Sequence, residues 1–174
     1  MSDITLNTRR FTNAFGFAGA SRNDLLRIAA QALDYAGEAG DQSQANVLRN
    51  IRWDNDDIDA YDSEFRFDYD GGTYVVMTEE AFDSRVQAEI ESHIEMAEDD
   101  FRHQLKDCSY VSNYITFDRD MFTRDLMMDV GSLVGHYDGQ YHEMYVNEYD
   151  ISKGSTFDSK YCTRRETLFM IRED

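Results

Sequence analysis

Seven apolar residues, Phe82, Val86, Ile90, Ile94, Ala97, Phe101 and Leu105, recur at three- and four-residue spacing along one stretch of this chain. That period lines them up on one side of an α-helix. Thr78 supplies an N-cap, and Glu79 and Glu80 place negative charge where the helix dipole favours it. Some 28 residues at ~1.5 Å each make a rod of roughly 42 Å. A rod that long must lay its stripe on a large apolar surface, and this requirement restricts the fold more than any other feature. Its far side carries Glu91, Glu95, Glu98 and Asp99.

The surface it needs is legible on either side. Phe65, Phe67 and Tyr69 alternate with Arg66, Asp68 and Asp70, the period of a half-buried strand. Gly71-Gly72 can form a two-residue turn, and Thr73 to Met77 returns as a second strand. In that register Tyr69 faces Tyr74 and Phe67 faces Val76. Downstream, Met121–Val130 reads as a helix. Ser132–Tyr137 and Gln140–Tyr149 read as strands around Asp138-Gly139, and Thr167–Ile171 as a last strand.

Near the start, Leu25, Ile28, Ala29, Leu33 and Ala36 predict a helix from Ser21 or Asn23 to about Ala36, stopped by Gly37 and Gly40. Asp41 or Ser43 can cap a second helix to about Arg52, with Val47, Leu48 and Ile51 inward. Residues 1–20 fit a flexible arm or a short edge strand. The expectation is one domain over residues 1–174, of α+β class. A helical hairpin and one long amphipathic helix pack on one face of an antiparallel sheet of hairpins.

Charge is distributed unevenly over that frame. Residues 54–107 hold 18 Asp and Glu against Arg66, Arg85, Arg102 and Lys106, a net −14 of the chain's −18. Crowded like charges repel one another, so a one-sided surplus points to a strongly basic partner. Glu98, Asp99 and Asp100 lie where a helix C-terminus disfavours anions, with few cations four residues away to relieve Glu91, Glu95 and Glu98. Asp54, Asp56, Asp57, Asp59 and Asp62 can extend the same surface. The candidate partner-binding set is therefore Asp54, Asp56, Asp57, Asp59, Asp62, Glu91, Glu95, Glu98, Asp99 and Asp100.

Other chemistry is thinly represented. Cys108 and Cys162 make no CxxC and read as reduced thiols, with a single bridge between them as the lesser alternative. No apolar run suits a membrane span, and Thr8-Arg9-Arg10-Phe11 lacks the apolar segment of an export signal, so a cytoplasmic location is expected. His136, Asp138, His142 and Glu143 are close in sequence. In a hairpin turning at Asp138-Gly139, however, His136 and His142 fall on opposite faces and cannot share an ion. His93 and His103, ten residues apart on the long helix, cannot chelate together either. GxSxG, GxxxxGK[ST], GxGxxG and HExxH are all absent, so no catalytic residue, metal or cofactor is expected. The arginines of the first two helices allow a helix-turn-helix, but a hairpin packed on the sheet is the preferred reading. Proline is missing, where ~5% usage would give about nine, so turns fall to Gly, Asn, Asp and Ser.

The segments Tyr74-Val-Val-Met-Thr-Glu-Glu-Ala81 and Gly131-Ser-Leu-Val-Gly-His-Tyr-Asp-Gly-Gln-Tyr-His-Glu143, with Phe169-Met-Ile-Arg172, resemble uncharacterised small proteins of tailed bacteriophages. Those proteins tend to carry a strand, a Thr-(Asp/Glu)-Glu helix start, and a Tyr-Asp-Gly turn followed by an acid. The similarity covers residues 73–172 and departs at Met96–Asp100, where the pattern has aromatic residues. It implies a phage or mobile-element origin and no particular activity. By analogy of charge and size alone, phage anti-restriction and anti-CRISPR DNA mimics are comparable.

The leading expectation is a non-enzymatic inhibitor that docks residues 54–107 on the basic groove of a host nucleic-acid-binding protein, itself binding no nucleic acid. Alternatives are a small counter-defence enzyme or nucleotide-binding protein using the Asp138 region, and an acidic structural or assembly protein.

Overall fold

A computed structural model describes residues 4–7, 17, 22–53, 63–106, 114–135, 137–149 and 162–174. Its centre is a five-stranded sheet of order β1-β4-β5-β3-β2, made by β1 (Ile4–Asn7), β2 (Glu64–Tyr69), β3 (Gly72–Thr78), β4 (Tyr141–Tyr149) and β5 (Cys162–Arg172). Four strands are antiparallel, and β1 joins the edge parallel to β4. Residues 4–7 thus form the edge strand rather than an arm.

Helices cover both faces of this sheet, not one. On the first face α1 (Arg22–Ala36) and α2 (Gln44–Asn50) bury Leu25, Ile28, Leu33 and Val47 against Phe65, Phe67, Tyr74, Val76, Leu168 and Met170. On the second face α3 (Glu79–Leu105) and α5 (Val130–Val134) bury Phe82, Val86, Ile90, Ile94, Leu133 and Val134 against Val75, Met77, Phe169 and Ile171. The cause lies in the central strands: Tyr74–Met77 and Leu168–Ile171 are unbroken apolar runs buried on both sides. Such runs need two covers, whereas an alternating strand needs one.

The β2–β3 hairpin forms as expected, but two residues out of the expected register. Tyr69 pairs with Gly72, Phe67 with Tyr74 and Phe65 with Val76. The turn residues are Asp70 and Gly71, with φ of 49° and 81°. Asp-Gly is a favoured pair for a turn needing positive φ at both positions. A shift of two leaves every side chain on its expected face, so Phe65, Phe67 and Tyr69 still point inward.

Ser132–Tyr137 is not a strand. Asp129 accepts hydrogen bonds from the Ser132 backbone N–H (3.1 Å) and hydroxyl (2.7 Å), which caps α5. These bonds to the charged form hold the Asp129 carboxyl below its ordinary range. Gly135 lets Gln140 approach so closely that a Cβ there would sit 2.5 Å from its carbonyl oxygen. Asp138-Gly139 is a turn, but it joins a helix to a strand, and the paired-strand geometry expected for His136 and His142 does not arise. His136 itself lies outside the described residues.

The end of β5 is tied to the hairpin. The Glu173 N–H donates to the Thr73 carbonyl (2.9 Å), and the Glu173 carboxylate meets Arg85 at 3.0 Å and Arg66 at 3.6 Å. The Arg172 guanidinium stacks 4.0 Å from the Tyr137 ring.

Two predictions follow from this packing. Ile90→Ala leaves a hole between α3 and the sheet and should lower unfolding free energy by about 2–5 kcal/mol, read from denaturant midpoints. Burial, with Glu38 nearby, pushes the Tyr74 hydroxyl above its ordinary pKa of 10.0 despite Arg172, and Tyr69 shifts the same way. Below pH 10 folded and unfolded chains both keep these protons; above it the unfolded chain releases them first. Stability should therefore fall as pH rises past 10, and Tyr74→Phe should flatten that fall in urea titrations from about pH 9 to 11.

Candidate functional site

The frame that presents the acidic residues is α3. Phe82 stacks on Phe169 at 4.1 Å between ring centroids and leans on Tyr141 at 5.0 Å. Val86, Ile90 and Ile94 continue the contact, each nearly solvent-free. Beyond the sheet, Phe101 meets Phe117, which meets Phe122 of α4 (Arg119–Leu126). The Thr78 hydroxyl accepts from the Ala81 N–H (3.3 Å) and starts the helix as expected. The expected apolar stripe is the one the helix uses, with Ala97, Phe101 and Leu105 half-buried.

At ~100° of rotation per residue, Glu91, Glu95 and Glu98 fall on one ridge away from the sheet, with Asp99 on its flank. Asp100 follows Glu98 by about 200° and leaves the helix on the other side. Asp54, Asp56, Asp57, Asp59 and Asp62 lie outside the described residues.

The ridge is not bare. The Arg102 guanidinium donates to Asp99 (2.8 Å) and Glu98 (3.1 Å), and Arg119 of α4 bonds Glu98 at 3.2 Å and lies 3.6 Å from Glu91. Of the expected scarcity of cations four residues away, Glu98 is the exception through Arg102, while Glu91 and Glu95 have none; Arg119 instead reaches Glu91 and Glu98 across the packing. An acid three or four residues before an arginine is the favourable order on a helix, and Arg102 with His103 also offsets the dipole at the last turn. Arg102 could be found from spacing alone. Arg119 could not, because it reaches the ridge only through tertiary packing. Glu95 and Asp100 carry no ion pair among the described residues.

Other candidate chemistry is committed elsewhere. His93 and His103 each use Nδ1 toward the backbone carbonyl four residues back, Glu89 at 2.9 Å and Asp99 at 3.1 Å. A carbonyl only accepts, so Nδ1 carries the proton in both rings. Asp138 accepts from the Gln140 N–H (2.9 Å) and shapes its own turn, while Glu143 accepts from the Tyr145 hydroxyl (2.6 Å). Among the described residues no three His, Cys, Asp or Glu converge as metal ligands, and no helix is long and apolar enough to cross a membrane.

Comparison with protein-family models, with curated proteins and with solved structures finds no match to this chain.

The arginine bridges are half exposed, so each contributes little to folding. Arg102→Ala and Arg119→Ala should each lower stability by at most ~1 kcal/mol, with the loss shrinking as salt is raised. Chemical denaturation at low and high ionic strength checks both.

Proposed function

We propose that the protein is a non-catalytic binding protein whose α3 ridge docks on a basic groove of a nucleic-acid-binding protein, taking the place of a phosphate backbone. The observation that carries this reading is the ridge itself. Glu91 and Glu95 on the ridge and Asp99 on its flank recur about once per turn, ~6 Å apart, on a helix whose other side is anchored to the sheet through Phe82, Val86, Ile90 and Ile94. Carboxylates mounted on so firm a support meet a partner without the ordering cost of a charged loop. Asp54, Asp56, Asp57, Asp59 and Asp62 would widen the contact. A host defence protein as target, and a phage or mobile-element source for the chain, belong to the same proposal.

Arg102 and Arg119 set the terms of docking. They occupy the places that a partner's guanidinium groups would take, so a partner must displace them or add to them. Affinity of such a face falls steeply with salt, because each ion pair formed releases counterions.

The test is capture from a host lysate on the immobilised protein, washed at graded salt. A basic, nucleic-acid-binding protein should be retained at low salt and released as salt rises; Glu91→Gln with Glu95→Gln should reduce capture. Retention indifferent to salt, or to those substitutions, overturns the reading. A second measurement separates local from general charge effects. Arg102→Ala and Arg119→Ala should tighten binding of an oligo-arginine peptide by about two- to fivefold. Arg66→Ala, which frees Glu64 but leaves Glu173 bonded to Arg85, should do less.

A further inference from the structure

A half-open cleft of about 580 Å³ lies between α2 and the β2–β3 turn, and no residue of α3 lines it. Its walls are held by the backbone. Arg52 and Asp68 exchange reciprocal main-chain hydrogen bonds of 2.9 and 2.8 Å, and Asp70 and Gly71 are set in the positive-φ turn. The volume falls within the ~300–1,000 Å³ of small-molecule sites, which are ordinarily apolar. This one is polar: among the described residues it is lined by Gln42, Asn50, Arg52, Asp68, Asp70 and Thr73, with Tyr69 as the aromatic residue.

Much of that hydrogen-bonding capacity is idle. The side chains of Arg52 and Asp70 make no ion pair or hydrogen bond among the described residues. Asn50 and Gln42 touch only at 3.5 Å, the outer limit of such a bond. Asp68 accepts from the Thr73 hydroxyl at 3.0 Å and keeps further lone pairs. The Tyr69 side chain belongs to the core beneath the cleft, where its hydroxyl has no hydrogen-bond partner among the described residues, a condition that costs ~1–3 kcal/mol.

The donor and acceptor set narrows the ligand. An anion would meet Asp68 and Asp70 on a chain of net charge −18, and a cation would meet Arg52. A hydroxyl group both donates and accepts, so it can serve carboxylates, carboxamides and guanidinium alike. We propose that this cleft binds a small, uncharged, hydroxyl-rich molecule of the sugar class. The site goes beyond the docking role of α3 and does not rest on it.

Amide NMR titration of the full chain with neutral mono- and disaccharides tests this, with inorganic phosphate and argininamide as charged counterparts. At least one sugar should shift the amides of residues 42, 50, 52 and 68–73, with a Kd in the ~mM range. Asn50→Ala and Asp70→Asn should each weaken that sugar by about tenfold or more without lowering the melting temperature. Asn tolerates the left-handed backbone at position 70, so the second variant keeps the turn. No response to any sugar at ~50 mM, or a stronger response of the same amides to phosphate or argininamide, overturns the proposal. So does a sugar affinity unchanged in both variants. If one variant fails to fold, the wild-type footprint and the other variant decide.

Discussion

Burial of β3 and β5 on both faces is the constraint from which the architecture follows. Val75, Val76, Met170 and Ile171 are almost wholly removed from water, yet neighbours in that set point to opposite sides of the sheet. At ~25 cal/mol per Å² of apolar surface, leaving either side wet would be prohibitive. Each side therefore has its own helical cover. The small residues of α1, Ala29 and Ala32 among them, let that helix sit close. On the other side α3 meets the sheet with large residues at one end only, and α4 and α5 shelter what the sheet does not reach. The position of the acidic ridge is a by-product: it is whatever part of α3 remains after the sheet, α4 and α5 have been served.

Most of this was legible in the residues, and the misses have physical causes. The stripe from Phe82 to Leu105 announced α3, because a strict period over many turns has no other explanation. The β2–β3 hairpin was equally clear, but Asp70-Gly71 took the turn from Gly71-Gly72 and moved the pairing by two. Two-sided burial was present in the unbroken runs at 74–77 and 168–171, which differ visibly from the alternation of Phe65, Phe67 and Tyr69. The helix at 130–134 was hidden: Leu133 and Val134 suit a strand as well as a helix, and only the cap at Asp129 and the close contact at Gly135 decide it. At the candidate site the carboxylates were evident and Arg102 could be read from spacing. Arg119 could not be found that way, since an unpatterned linker separates it from α3.

The acidity of the chain acquires a division of labour. In a protein without proline, Asp118, Asp129 and Asp138 accept backbone N–H bonds that start helices and shape a turn. Glu173 ties β5 to α3 through Arg85. Carboxylates of this kind are part of the fold's construction and say nothing about a partner. Glu91, Glu95, Glu98 and Asp99 stand on a helix already secured by its opposite side; Arg102 and Arg119 bridge three of them through exposed guanidinium groups, and Glu95 has no ion pair among the described residues.

The order of strands has a consequence for how the molecule is assembled. β5 lies between β3 and β4, yet it follows β3 by more than eighty residues of chain. The β2–β3 hairpin closes locally and quickly, but the open side of β3, with Tyr74 to Met77 displayed, has no neighbour until β5 is threaded into place. Loop closure over that distance is slow compared with hairpin formation. Until then an apolar strand edge is available to any other chain. The same strand that unifies the finished sheet makes its unfinished form prone to self-association, and refolding yield should depend on protein concentration more than on the intrinsic strength of any helix.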